Sequence, residues 1–180
     1  VNKNNPGFSI ANNQAIRQSE AEYVLLLNPD TVVEEDTFRK CIAYMDEHPK
    51  VGGLGVRMID GAGVFLPESK RGFPSPMVAF SKAFGLSKIF PKSKLFNTYH
   101  LGYLSEWETA EVDVLAGAFM FMRKETLDKV GLLDETFFMY GEDIDLSYRI
   151  TLGGYSNVYS QRQALFTIKG KVLRKVALIM

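Results

Sequence analysis

A single cysteine, Cys41, and two histidines, His48 and His100, are all that this 180-residue chain offers of those residue types. One thiol excludes an internal disulfide framework and suits a reducing cytoplasm. The two histidines share no ligand spacing with each other or with Cys41, so a zinc site does not follow. Surplus charge is lacking as well: 21 basic and 21 acidic residues cancel. No field of one sign therefore asks for a nucleic-acid partner. The longest unbroken apolar run, Val114 to Met122, contains Gly117 and is too short to span a bilayer. The polar opening, VNKNNPG, is no signal peptide. A Ser-His-Asp pattern, a P-loop and a G-x-G-x-x-G are all missing, as are repeats and low-complexity segments.

What is present is ordinary for one globular core: 46% hydrophobic and 23% charged residues. Residues 1–180 read as a single domain. Its first residue, Val1, falls in what reads as the middle of a loop, so the chain is expected to begin partway through that domain. Asn5-Pro6-Gly7 is loop chemistry, after which Ser9 can cap a helix carrying Ile10, Ala15 and Ile16. Tyr23 to Leu27 is a short continuous apolar run ending at Asn28-Pro29-Asp30, as in a strand buried on both faces. Asp30 then lies past the carboxyl end of that strand, the edge where ligands gather in open α/β sheets.

Asp36 or Thr37 can cap a second helix, where Phe38, Cys41, Ile42 and Met45 share a face until Pro49 stops it. Leu54 to Ile59 reads as a strand and Asp60-Gly61 as a hairpin turn. From Pro67 to Glu108 the pattern weakens into a long surface excursion with one or two short helices. Tyr99, Tyr103 and Trp107 lie there and can stack on a sugar or serve as core. Glu111 to Met122 reads as the next strand, Thr126 to Val130 as a short helix ended by Gly131. A further helix from Glu142 shows Ile144, Tyr148 and Leu152 at helical spacing. Val158-Tyr159 and Ala164 to Ile168 read as closing strands. The tail, 169–180, reads as an amphipathic helix; packing against the core fits its modest charge better than lying on a membrane surface. Strands alternating with helices point to an α/β domain with a mixed sheet.

Two acidic constellations carry the candidate chemistry. Asp30 offers a carboxylate to a divalent cation bridging to a diphosphate, or else makes a plain turn after a strand. Glu142, Asp143 and Asp145 follow an aromatic cluster, Phe137 to Tyr140. Acidic residues at a helix start are favoured by the macrodipole, by about 0.3–1 kcal/mol each. Asp145 and Arg149 form an i, i+4 pair that needs no catalysis. Adjacent Glu142 and Asp143 repel, however, and a cap needs only one of them. A nearby cation or substrate hydroxyl accounts for both. Gly7 before a helix start can let backbone amides approach a phosphate, or be a plain loop. The residues alone leave these alternatives open.

Four segments, NPGFSIANNQAI, YVLLLNPDTVVEEDTF, VDVLAGAFMFMRKETLDKVGLLDETFFMYGEDIDLSYRI and GGYSNVY, together resemble family 2 glycosyltransferases of GT-A fold, in particular the rhamnosyltransferase-like branch of bacterial cell-surface polysaccharide synthesis. They stand in the family's order and cover most of the chain outside the excursion. The resemblance implies a three-layer α/β/α sandwich with a mixed, mostly parallel sheet, truncated at its amino end. It implies an inverting sugar transfer from a nucleotide-sugar donor, UDP- or dTDP-linked, to a glycan or lipid-linked acceptor. Asp143 then matches the catalytic base, with Glu142 beside it. Asp30 matches the last carboxylate of the metal-binding D-x-D element, written here Asn28-Pro29-Asp30, and would serve Mg²⁺ or Mn²⁺. Gly7, Asn12, Asn13 and Asn28 match donor-side positions, and Gly117 and Ala118 the acceptor side.

Two departures from the pattern follow. The family's opening strand and nucleobase-binding segment belong before Val1, which implies weak nucleotide binding by this chain and an open sheet edge inviting self-association. Thr167 stands where the family commonly has a histidine. The implied location is the cytoplasm, at the inner face of the membrane, with peripheral membrane contact. Two other functions share parts of this signal: a nucleotidyltransferase of similar α/β layout, and an inactive glycan-binding or assembly module.

Overall fold

The computed structural model describes residues 5–138, 140–167 and 176–179, with backbone alone from 162 onward. The layers are set by a short strand with two apolar faces, β1 (Tyr23–Leu27). Val24 and Leu26 enter a cluster with Ile16, Met120, Met122, Leu127, Leu146 and Ile150. Tyr23 and Leu25 enter a second cluster with Cys41, Met45, Phe119 and Phe121. Successive strand side chains point to opposite faces, so a strand covered on both sides must be apolar throughout.

The covers are helices. α1 (Phe8–Arg17), α5 (Lys124–Val130) and α6 (Glu142–Leu152) supply the first cluster, and α2 (Thr37–Glu47) supplies the second. Between them the sheet also holds β2 (Thr31–Val33), β3 (Val51–Asp60), β4 (Ala110–Glu111), β5 (Phe119–Arg123), β6 (Ser156–Thr167) and β7 (Val176–Ile179). The excursion after β3 carries a 3₁₀ turn at Pro67–Ser69, α3 (Pro76–Ala83) and α4 (Leu86–Ile89). The α/β/α layering and mixed sheet agree with the sequence reading.

The strand order is β2-β6-β3-β5-β1-β7, with β4 also on β6. Here the expected mostly parallel sheet is corrected. Among the described strands β3 and β6 run parallel, and every other pairing is antiparallel. The cause lies in the stretch read as one strand from Glu111 to Met122. It is broken: β4 pairs with β6, residues 112–118 pass over β3 with Leu115 against Gly53 and Gly55, and β5 enters between β1 and β3. β4 and β5 run in the same direction, and both oppose the parallel pair β3 and β6.

Two more expectations are revised. The tail read as a helix instead forms β7 over Val176–Ile179, antiparallel to β1; the rest of 168–180 lies outside the described residues. The pairing engages the N–H and C=O groups on that side of β1 and makes β7 the outer strand. In α6 the buried positions are Glu142, Leu146, Ser147 and Ile150, whereas Tyr148 and Leu152 are exposed. The helix has two apolar stripes, and sequence spacing does not say which one meets the sheet.

The helices come close because β3 opens with two glycines. An ideal Cβ on Gly52 would stand 2.8 Å from Thr126 Cγ2 and 2.9 Å from Ile150 Cγ2, so α5 and α6 pack straight onto backbone. We expect Gly52→Ala to lower unfolding free energy by about 1–3 kcal/mol, measured by urea titration. A second outcome concerns pH. Burial pushes the Cys41 thiol from its ordinary 9.0 up to about 12. Stability from keeping it protonated is present below pH 9.0 and lost as pH climbs towards 12, by up to about 4 kcal/mol. Burial raises the Tyr159 phenol too, in the same direction. Cys41→Ala should flatten the alkaline limb of a stability–pH curve without levelling it.

Candidate active site at the end of the sheet

The crossing segment 112–118 is held, from Val114 onward, by bonds to the excursion and to α6. Val114 N–H donates to Arg71 O at 2.9 Å, and Leu115 N–H to Ser147 Oγ at 3.1 Å. Gly117 N–H donates to Asp143 Oδ2 at 3.2 Å. Gly117 leaves little room for a side chain: an ideal Cβ would lie 3.3 Å from that same oxygen, so the carboxylate would have to give way slightly.

Asp143 sits in the first turn of α6, entered through Gly141 at φ 96°, a left-handed geometry natural to glycine. Its Oδ2 also accepts Arg71 Nη2 at 2.5 Å, and its Oδ1 accepts Ile144 N–H at 2.9 Å. Side-chain exposures of 12% for Arg71 and 16% for Asp143 make this a largely buried ion pair. Burial works against the Arg71 charge. The Asp143 carboxylate and its hydrogen bond, with help from Tyr99, outweigh burial and raise the guanidinium above its usual pKa. Arg71 Nη2 also donates to Leu115 O at 2.8 Å, so one guanidinium ties the excursion, the crossing segment and α6 together.

Of the other acids, Glu142 is buried at the helix start. Asp145 takes Arg149 Nη2 at 2.6 Å, and Arg149 goes on to cap the carbonyls of Val130, Gly131 and Leu132. Asp145 is therefore a scaffold residue, as the i, i+4 spacing suggests.

Asp30 comes to the same end of the sheet. β1 ends opposite β5, Leu27 against Phe119, and Asn28 N–H donates to Ala118 O at 3.0 Å. The Asn28 segment is thus bonded to residue 118 and Asp143 to residue 117. Thr31 Oγ1 fixes the turn by donating to Asn28 O at 2.6 Å. Thr167 pairs across from Thr31, which puts the position that resembles the family's histidine beside this turn. Asn28 Oδ1 and Asp30 Oδ1 are buried oxygens without a donor. Two unsatisfied hard oxygens fit Mg²⁺ or Mn²⁺. Among the described residues no three His, Cys, Asp or Glu side chains gather as a metal shell, so a cation there needs further ligands from diphosphate or water.

The donor-side residues divide. Gly7, at φ 94°, precedes α1, and Phe8 N–H donates to Phe138 O at 3.2 Å. Asn12 Nδ2 donates to Phe8 O within the helix. Asn13 is a clamp: its Nδ2 donates to Leu133 O at 2.7 Å and to Glu135 Oε1 at 3.0 Å, and its Oδ1 accepts Leu133 N–H at 3.1 Å. Both asparagines are buried, and Asn13 supports the loop leading to α6. Beside α6, Phe73, Pro74, Phe137, Ile144 and Tyr148 line a hollow of about 410 Å³. Phe73 meets Tyr148 edge to face at 5.3 Å. This explains the outward apolar stripe of α6. Trp107 is exposed beneath the Arg57 guanidinium, 4.1 Å from its ring.

Arg71 and Phe73 were not singled out by sequence. They sit in the stretch of weakest periodicity, and the basic pair Lys70-Arg71 just after a 3₁₀ turn is the only local signal.

The profile of glycosyl transferase family 2 matches residues 1–131. The chain is 30% identical to the rhamnosyltransferase WbbL of Escherichia coli K12 over 158 residues, 82% of this chain and 55% of the relative. It is 29% identical to the N-acetylglucosaminyl-diphospho-decaprenol L-rhamnosyltransferase of Mycobacterium tuberculosis, over 77% of this chain and 44% of that one. The chain thus spans about half the length of the curated relatives it matches. Among solved structures, GalNAc-T7 with UDP, GalNAc and Mn²⁺ superposes with TM-score 0.62 at 14% identity, over 93% of this chain and 31% of its own. Staphylococcus aureus TarS 1–349 with UDP-GlcNAc gives 0.58 at 19% identity, over 96% and 42%. The fold is that of the GT-A glycosyltransferases.

Removing one member of the Arg71–Asp143 pair leaves a buried charge alone. We expect Arg71→Met to cost about 3 kcal/mol at neutral pH, with Arg71→Met/Asp143→Asn recovering part of it in a double-mutant cycle by urea unfolding.

Proposed function

The chain belongs to glycosyl transferase family 2, and from that premise we propose that it transfers a sugar from a nucleoside-diphosphate donor to a hydroxyl of a glycan or lipid-linked acceptor, with inversion, in cell-surface polysaccharide synthesis. The observation that supports this reading is the meeting of the Asp30 turn and Asp143 on consecutive residues, Ala118 and Gly117, at one end of the sheet. The rhamnosyltransferase names among the relatives make a 6-deoxyhexose donor the first to try.

In this reading Asp143 is the base. Arg71 and the Gly117 amide hold Oδ2, which aims the carboxylate and leaves Oδ1, bonded to the Ile144 amide, to take the acceptor proton. The acceptor oxygen attacks the anomeric carbon as the bond to the diphosphate breaks, and the electron pair leaves with the diphosphate. Asn28 and Asp30 are the residues that would hold Mg²⁺ or Mn²⁺, which supplies positive charge against the departing group. Gly117 and Ala118 keep this end of the sheet free of bulk where two sugars must meet. The hollow beside α6 offers aromatic and aliphatic walls to the acceptor.

The test compares wild type with Asp143→Asn in a coupled assay of UDP- and dTDP-sugars with polyprenyl-diphosphate-linked acceptors. We expect transfer to fall by about 10²–10⁴-fold, with donor binding by calorimetry unchanged. Transfer surviving in Asp143→Asn would remove the base from this account.

A further inference from the structure

The excursion between β3 and β4 has a charge pattern of its own. No acidic residue falls between Glu68 and Glu106, whereas Lys70, Arg71, Lys82, Lys88, Lys92 and Lys94 do. Two of these cations are used inside the protein. Lys70 Nζ donates to the carbonyls of Leu101 and Leu104, and Arg71 pairs with Asp143. The other four, Lys82, Lys88, Lys92 and Lys94, are exposed.

Large apolar side chains are exposed over the same stretch. Met77, Phe80, Phe84, Ile89, Phe90 and Leu95 all face solvent, Phe84 and Ile89 at 65% each. α3 is a well-started helix, since Ser75 caps it by accepting Val78 N–H at 3.2 Å and Pro76 opens its first turn. Within α3 only Ser81 is buried, so the helix gives almost nothing to the core. A concentration of exposed apolar residues on an ordered segment marks a contact surface.

We propose that this excursion docks on an anionic bilayer surface, with Phe80, Phe84, Ile89 and Phe90 entering the boundary between headgroups and acyl chains and the four lysines meeting lipid phosphates. The choice of a lipid surface over a protein rests on the residue types. Protein interfaces favour arginine and disfavour lysine, yet every exposed cation between Ser69 and Ser105 is lysine. Lysine stems can lie along apolar surroundings while the ammonium reaches the phosphates. A fluid interface also asks no fixed shape of two short helices and their turns. The docking does not depend on the sugar-transfer reading. It bears on it, because Arg71 and Phe73 at the root of the excursion join Asp143 and Tyr148.

The test is co-sedimentation of the full chain, without substrate, with vesicles of phosphatidylcholine alone or mixed with phosphatidylglycerol. Binding is expected with the anionic mixture, weakening as salt rises. Lys88→Gln/Lys92→Gln should weaken it by about 25-fold, roughly fivefold per lysine, and K82E/K88E/K92E/K94E should abolish it. Phe80→Ser/Phe84→Ser should weaken it while leaving the salt dependence in place. Circular dichroism on each variant separates lost binding from lost fold. Absence of wild-type binding to anionic vesicles, as for a surface made for an acidic protein, would overturn the proposal. So would binding indifferent to phosphatidylglycerol, or folded lysine variants that bind as wild type does. Because no sugar donor is present, failure here is distinct from failure of the transfer assay.

Discussion

A carboxylate taken largely out of water must be surrounded by donors, and that requirement organises the site end of this molecule. Asp143 meets it with a guanidinium, the amide of the crossing segment and the amide next to it in its own helix. Each donor brings a different part of the chain. Arg71 carries the excursion, Gly117 carries the lead-in to β5, and the helix start carries the loop clamped by Asn13. The attraction between the charges must offset the desolvation of both, which is why the geometry tolerates little change. A Cβ at position 117 would press to 3.3 Å from that carboxylate.

The same arrangement accounts for the position of Asp30. Antiparallel pairing of β1 with β5 aligns the end of one strand with the beginning of the other. Whatever β5 is fastened to at its start is therefore also near the turn after β1. The Asn28–Ala118 bond extends that alignment one step beyond the strands. The two acids are brought to one end of the sheet by strand register, and neither has to contact the other directly.

Much of this was legible in the residues. The continuous apolar run of β1 announced burial on both faces, and the spacing in α2 marked a face of which Phe38, Cys41 and Met45 pack inward while Ile42 stays exposed. The abrupt stop at Asn28-Pro29-Asp30 marked a strand end, and the acidic cluster marked a helix start. What could not be read were consequences of contact between distant segments. Arg71 lies in sequence without periodicity, and its importance arises from a partner at position 143. The break between β4 and β5 falls inside an apolar run that local pattern treats as one strand, because the amides of Val114, Leu115 and Gly117 are satisfied by Arg71, Ser147 and Asp143. The choice of which stripe of α6 faces inward is likewise tertiary, decided by the glycines of β3 on one side and the aromatic hollow on the other.

The parallel pairing of β3 with β6 has a bearing on biosynthesis. Val51 is opposite Ser156 and Gly53 opposite Asn157, so the central seam of the sheet closes only after nearly all of the described chain has left the ribosome. Until then β3, buried along almost its whole length in the finished protein, has no parallel neighbour. Pairings of such long sequence separation form slowly, and their unfinished edges favour aggregation. In the meantime the contact open to the nascent chain is local, β3 against α2, whose Cys41 and Met45 share a cluster with Leu54, Val56 and Met58.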